Sequence, residues 1–420
     1  MISVHTLPNG LRVALESLPF VRSVSFGIWL KNGSRNETKG TNGISHFSEH
    51  MMFKGTINRS AKQIADTMDA IGGQLNAFTS KEYTCFFTRT LDVHFDTALD
   101  VLQDMFFYSN YDEAEIAKER GVILEELNMY EDTPEDLVVD LMQCEIFKPH
   151  PLGFSVVGTK ESISGFKRGD FLKFRGKHFT ADKIVVAVAG NINPEEVLEK
   201  VEAVFGGMET PKKTTALKKA TYSPGFSLKE KDIEQMHLCL GFQGLPTGVD
   251  ESYAQAIIGT ILGGGMSSRL FQKIREERGL VYSVYTSSAS FIETGTFLIY
   301  AALSPTQLVE VGKLICGEIK GLLEEELDGD ELQRTKEQLK SNFILSLESS
   351  SSRMSSIGRS VLLLDRIVTP DELIAKIDNV SLGDFREISE RIFRFCELSI
   401  SIVGKNVGGL TEGGLRAVFD

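Results

Sequence analysis

Apolar and polar residues alternate over 11–15 and 23–30, and a Pro8-Asn9-Gly10 turn precedes the first run, so the chain is predicted to open on paired strands. A helical period takes over at 43–54. It returns from the capping residue Ser60 to Ile71, where Gly72-Gly73 stops it. Strands are predicted at 74–80 and 83–90, long helices at 93–107 and 112–137, a buried strand at 183–190 and a helix at 194–205. The order then recurs, with a strand near 237–241, a helix near 252–262 and strands near 281–290 and 295–302. Helices follow over 305–326, 329–348 and 352–365, and 398–404 closes the chain with an echo of 185–190.

Strands and helices come in blocks, so each half is predicted to be α+β, a mostly antiparallel sheet backed by helices. The repeated order suggests a duplication into two similar domains. The expected division is 1–208, a linker at 209–223 rich in small polar residues and lysine, and 224–420.

Composition narrows the function. With 42% hydrophobic and 25% charged residues the chain belongs with folded globular proteins rather than disordered or fibrous ones. No run of about 18 apolar residues is present, so no membrane span is expected. Acidic residues outnumber basic ones, 58 to 45, and a net charge of −13 argues against general nucleic-acid binding. The five scattered cysteines contain no C-x-x-C pair, and the N-terminus enters a strand pattern without a leader-like stretch. Both point to reduced thiols in a cytoplasmic protein.

The chemistry concentrates in Gly43 to Gly55. On a helix His46 and His50 lie four apart on one face, where two imidazoles can hold one Zn²⁺. Glu49 sits beside that face, placed to take a proton from water activated by the metal. The order is H-x-x-E-H, the inverse of the commoner H-E-x-x-H. Chance produces this spacing in about one chain in a hundred of this composition. A catalytic zinc needs a third protein ligand and an open position. Glu119 and Glu126, seven apart and hence on one helix face, are candidates. The residues alone leave Glu126 open between a ligand and part of a solvated acidic stripe.

Three stretches together resemble the pitrilysin family of inverted-motif zinc peptidases, which includes insulin-degrading enzyme and the mitochondrial processing peptidases. They are His46 to Thr56, Leu75 to Glu82 (Leu-Asn-Ala-Phe-Thr-Ser-Lys-Glu) and Glu119 to Glu126. The likeness spans essentially the whole chain and is nearest to bacterial homologues of the processing peptidase beta subunit. It implies that His46, His50 and Glu126 bind one Zn²⁺ per chain, that Glu49 is the general base, and that Glu119 helps orient the site. Ser48 stands where relatives are expected to carry an apolar residue. The segment 252–262 of the second half has no histidine, so a single metal is expected.

Further expectations come from the resemblance. Asn76 and Ala77 would lie on an exposed strand edge that pairs with substrate backbone, against the alternative of an ordinary strand. Gly263, Gly264 and Gly265 resemble a glycine-rich substrate-handling loop, against the alternative of a helix-ending loop. Arg275 and Tyr282 resemble an R-x6-Y pair, in which Tyr282 would donate to the oxyanion and Arg275 would hold substrate. The implied protein is a zinc-dependent endopeptidase acting on peptides or unfolded segments by attack of a metal-activated water. It would be a homodimer whose active site is completed in trans, with neither nucleic acid nor membrane as partner. The competing possibility is a non-catalytic scaffold or assembly subunit of the same fold.

Overall fold

The computed structural model describes residues 2–210 and 218–419. The first half of the chain runs β1 (Ile2–Thr6), β2 (Arg12–Ser17), β3 (Ser23–Leu30), α1 (Ile44–Met52), α2 (Ala61–Ala70), β4 (Gln74–Thr79), β5 (Thr84–Leu91), α3 (Phe95–Tyr108), α4 (Glu113–Asp132), α5 (Pro134–Phe147), α6 (Lys160–Gly165), α7 (Arg168–His178), β6 (Ile184–Gly190) and α8 (Pro194–Phe205). The second runs β7 (Phe226–Glu230), β8 (Met236–Gly244), α9 (Ser252–Gly263), β9 (Val281–Ser290), β10 (Gly295–Leu303), α10 (Leu308–Glu324), α11 (Gly329–Ser346), α12 (Ser350–Leu364), α13 (Pro370–Asn379), α14 (Leu382–Ile392), β11 (Ser399–Gly404) and α15 (Glu412–Phe419).

Two sheets result. The first has the order β1-β2-β6-β3-β5-β4 and the second β7-β11-β8-β10-β9. Leaving out β1, the two orders are the same, each with one parallel pair, β2 with β6 and β7 with β11, and antiparallel pairs elsewhere. This is the α+β duplication expected from the repeated pattern. The echo between 185–190 and 398–404 arises because β6 and β11 hold the same place in their sheets.

Each sheet is covered on both faces. In the first unit α3 and α8 bring Leu99, Leu102, Val197 and Val201 onto Phe26, Ile28, Val186 and Val188. On the opposite face Met354, Ile357 and Val361 of α12 pack on Trp29, Val185 and Ala187. That double cover explains why 184–189 is apolar without alternation. In the second unit Ile257, Val311, Ile315 and Phe385 cover one face of the sheet, while Val138, Met142 and Ile146 of α5 cover the other.

The compact units therefore do not follow the division at 1–208, 209–223 and 224–420. One unit is Met1–Asn128, Phe154–Lys218 and Leu345–Val368; the other is Met129–Gly153, Lys219–Ile344 and Thr369–Asp420. The halves exchange a helix, because α5 covers the second sheet and α12 the first. Residues 211–217 of the expected linker lie outside the described residues. The single helix expected at 112–137 is also corrected. It breaks at Thr133, and Pro134 opens α5 at a first-turn position that tolerates its missing N–H. No helix among the described residues is long and apolar enough to cross a membrane.

Candidate active site

Helix α1 is only nine residues long, so its placement depends on packing rather than intrinsic stability. Phe47 and Met51 anchor one face among Tyr111, Ile116, Ile123 and Phe171. The apolar spacing of Phe47 and Met51 turns His46, Glu49 and His50 to another side of the helix. Ser48 is buried, and its hydroxyl meets Tyr111 Oη at 3.0 Å. The polar residue at an expected apolar position is thus satisfied.

The rings of His46 and His50 meet edge to face at 65°, with their Nε2 atoms 3.2 Å apart. From α4, Glu126 places Oε1 3.6 Å from His46 Nε2 and Oε2 3.7 Å from His50 Nε2. These three residues are the one group of metal-ligating side chains clustered among the described residues. Donor atoms about 2.1 Å from a common tetrahedral centre stand about 3.4 Å from one another, close to the 3.2 Å between the imidazoles and to the 3.6 and 3.7 Å from each imidazole to its own Glu126 oxygen. Two imidazoles and a carboxylate form a donor set that fits a catalytic zinc.

Electrostatics favour a cation here. Burial, with help from His50, pushes the His46 pKa down to about 3, so its imidazole is neutral with a lone pair to offer. Burial also lowers the His50 pKa, but the Glu119 hydrogen bond and the charges of Glu49, Glu126 and Glu119 outweigh it and raise the pKa overall. Burial raises Glu126, opposed by His50 and reinforced by Glu119. Glu49 is raised by burial, with Thr79 and His50 opposing and Glu126 adding to the shift. A carboxylate moved up from its ordinary range suits proton transfer near neutral pH.

Around the cluster, Glu119 lies 2.8 Å from His50 Nδ1 and 2.6 Å from Lys54 Nζ. Burial would raise Glu119, but His50 and Lys54 outweigh it and hold its pKa below the usual range. Thr79, at the end of β4, donates its hydroxyl to Glu49 Oε2. Sequence reasoning missed Lys54 and Thr79 as site residues. The i,i+4 spacing of Lys54 from His50 offered a signal for the first. The contact of Thr79 depends on how β4 meets α1, which no local pattern encodes.

Asn76 and Ala77 lie on β4, which is the edge strand of its sheet and pairs with β5 alone among the described strands. Asn76 is exposed, and its side-chain oxygen accepts from the Ala77 N–H at 2.8 Å. Arg275 and Tyr282 come together in the other unit. The Arg275 guanidinium lies 5.5 Å from the Tyr282 ring centre and 4.8 Å from that of Phe271, with Tyr282 71% exposed. The glycines of 263–265 divide. A Cβ on Gly263 would stand 2.6 Å from Thr286 N and one on Gly264 2.6 Å from Thr260 Cα, so close packing requires both. Gly265 has no such constraint, its nearest neighbour being Gln338 Nε2 at 3.7 Å.

Residues 12–160 match the insulinase family (peptidase family M16), and residues 165–339 match the peptidase M16 inactive domain. The zinc protease YmxG of Bacillus subtilis is 43% identical over 393 residues, which cover 94% of this chain and 96% of that protein. A zinc protease of Streptomyces coelicolor is 39% identical over 407 residues, 95% and 88% of the two chains. In fold, the chain is similar to a protease from Helicobacter pylori, with a TM-score of 0.89 at 22% identity over 96% of this chain and 99% of that one. It is equally similar to a Pseudomonas fluorescens peptidase M16 inactive domain, with a TM-score of 0.90 at 16% identity over 97% and 98%. The inactive-domain match falls outside the stretch that carries His46, His50 and Glu126. With its two halves matched in order and its relatives aligned nearly end to end, the chain belongs to the insulinase family of peptidases, family M16.

Proposed function

We propose that this protein is a zinc-dependent endopeptidase that hydrolyses peptides or unfolded segments, with one Zn²⁺ per chain. The observation that carries the proposal is the convergence of His46, His50 and Glu126 at tetrahedral-edge separations, with a raised, non-liganding Glu49 on the same helix. The relatives named as zinc proteases support it. Retention of all four residues weighs against the scaffold alternative.

His46, His50 and Glu126 would hold the metal, which when bound supplies Lewis-acid polarisation and lowers the pKa of water to about 7. Glu49 takes the proton of the attacking water and delivers it to the leaving amine as the C–N bond breaks. Thr79 fixes the Glu49 carboxylate. Glu119 fixes the His50 ring through Nδ1. The open edge of β4 at Asn76 and Ala77 offers main-chain pairing to an extended substrate, which favours unfolded segments with little regard to side chains. Arg275 and Tyr282 would hold substrate and stabilise the oxyanion, in a homodimer where each pair serves the partner's metal site.

The deciding experiment is Glu49→Gln. The amide keeps the size but accepts no proton. The variant should bind zinc like wild type and lose turnover of a flexible peptide by about 10²–10⁴-fold. Turnover within about threefold of wild type, with zinc bound, would remove Glu49 from the mechanism.

A further inference from the structure

The two imidazoles of the site are held unequally. His50 Nδ1 meets Glu119 at 2.8 Å, the usual way a carboxylate fixes a ligating ring. His46 Nδ1 is buried and has no hydrogen-bond partner among the described residues. Its ring direction therefore depends on packing and on where the backbone of α1 begins. His46 is the third residue of that helix, inside the turn that frays first.

The start of α1 has an unusual cap. Gly43 occupies the N-cap position with φ +89°, and a Cβ there would stand 2.6 Å from the Val157 carbonyl oxygen. No capping side chain fits at that position, so the free N–H groups need a partner from elsewhere. Glu37 supplies it from six residues upstream. Its Oε2 accepts from Gly43 N at 2.8 Å and from Asn42 Nδ2 at 3.0 Å, and its Oε1 accepts from Ser45 N at 2.8 Å.

Glu37 is itself 4% exposed, and all of these donors are neutral. Burial pushes its pKa up to about 7 in spite of the Asn42, Ser45 and Gly43 donors. A carboxyl group set in so dry a place with three donors aimed at it calls for a role. Its loop is firmly mounted. The neighbouring Arg35 forms a buried ion pair with Glu82, and Arg35 N donates to Lys81 O at 2.8 Å. The same loop is thus tied to the turn that follows β4.

We infer that Glu37 is a positioning residue of the metal site, which holds the first turn of α1 and through it the ring of His46, as Glu119 holds His50. The inference rests on the zinc-peptidase proposal and adds to it a residue with no contact to metal or substrate. Loss of the Glu37 carboxylate should loosen one ligand while the rest of the fold stays intact.

The test measures zinc affinity of the full chain by competition with a chelator, alongside Tm and amide exchange of α1. Glu37→Gln is nearly isosteric, but its NH₂ group must face a backbone N–H. It should weaken zinc binding by about tenfold or more and speed exchange at Ser45 and Phe47. Val186→Ala, a cavity opened in the core beside β6, serves as the control for general destabilisation. It should lower Tm and keep zinc affinity within about threefold. If Glu37→Gln does not fold, Glu37→Asp replaces it under the same criterion, since the shorter carboxylate cannot reach Gly43 and Ser45 together. Zinc affinity of the Glu37 variant within about threefold of wild type, or an equal loss in Val186→Ala, would overturn the inference. Wild-type protein that binds no zinc would overturn the zinc proposal itself, a result distinct from unchanged affinity in the variant.

Discussion

Glu119→Gln measures how far a residue behind the ligands governs the metal. In the native site the Glu119 side chain is 6% exposed and lies 2.8 Å from His50 Nδ1. Hydrogen bonds to a charged group contribute about 1.5–3 kcal/mol, roughly twice the neutral kind. Glutamine keeps an acceptor oxygen for the Nδ1–H, loses the charge and turns its NH₂ toward Lys54, so the change costs about 1–1.5 kcal/mol at His50. The salt bridge to Lys54 adds little, because the Lys54 side chain is 31% exposed and water can replace its partner. The expected effect is a weakening of zinc affinity by about 5–15-fold, near the lower end of what such supporting partners contribute. Glu119→Ala should cost more, since it leaves the His50 N–H without an acceptor in a largely buried site. Chelator competition at fixed pH and salt gives both values. An affinity for Glu119→Gln within about twofold of wild type, or a smaller loss for alanine than for glutamine, would refute this account.

Thr79→Val removes the hydroxyl that holds Glu49 and leaves the ligands untouched. The expected outcome is a fall in kcat of about tenfold with zinc content and KM little changed, while Thr79→Ser stays near wild type; steady-state kinetics on one peptide distinguishes them. The proposed completion of the site in trans is tested by mixing Glu49→Gln chains with Tyr282→Phe chains. Each heterodimer would then carry one intact site, so activity should rise well above either variant alone, and no rise after demonstrated subunit exchange would count against the arrangement.

What the sequence revealed follows the range of the interactions. The i,i+4 spacing of His46 and His50 is local, so the metal face of α1 was legible from the residues alone. Glu126 needed α4 to pack against α1, a tertiary fact, and only the family resemblance singled it out. Alternation and turn residues located β3, β9 and β10 to the residue or nearly so. Helix α7 was overlooked because it buries only Phe171, Phe174 and His178 and its polar residues show no clear periodicity. Glu37 caps a helix that begins several residues downstream, beyond the reach of any N-cap pattern centred on the N-cap residue itself. The domain division failed for a different reason, since composition can mark a linker but not a helix that leaves its own half.

That exchange of α5 and α12 makes each half of the chain the lid of the other. A product ending in the linker would keep a sheet whose outer layer, Met354, Ile357 and Val361, is encoded after residue 350. The complementary product would lack Val138, Met142 and Ile146 and leave the second sheet bare on one side. Neither repeat is a self-sufficient folding unit, although each has a complete strand order. Melting one of them withdraws a layer from its sibling, so the two should unfold together. Cutting the chain between its repeats would thus bare a sheet face in each product, the half that carries His46 and His50 included.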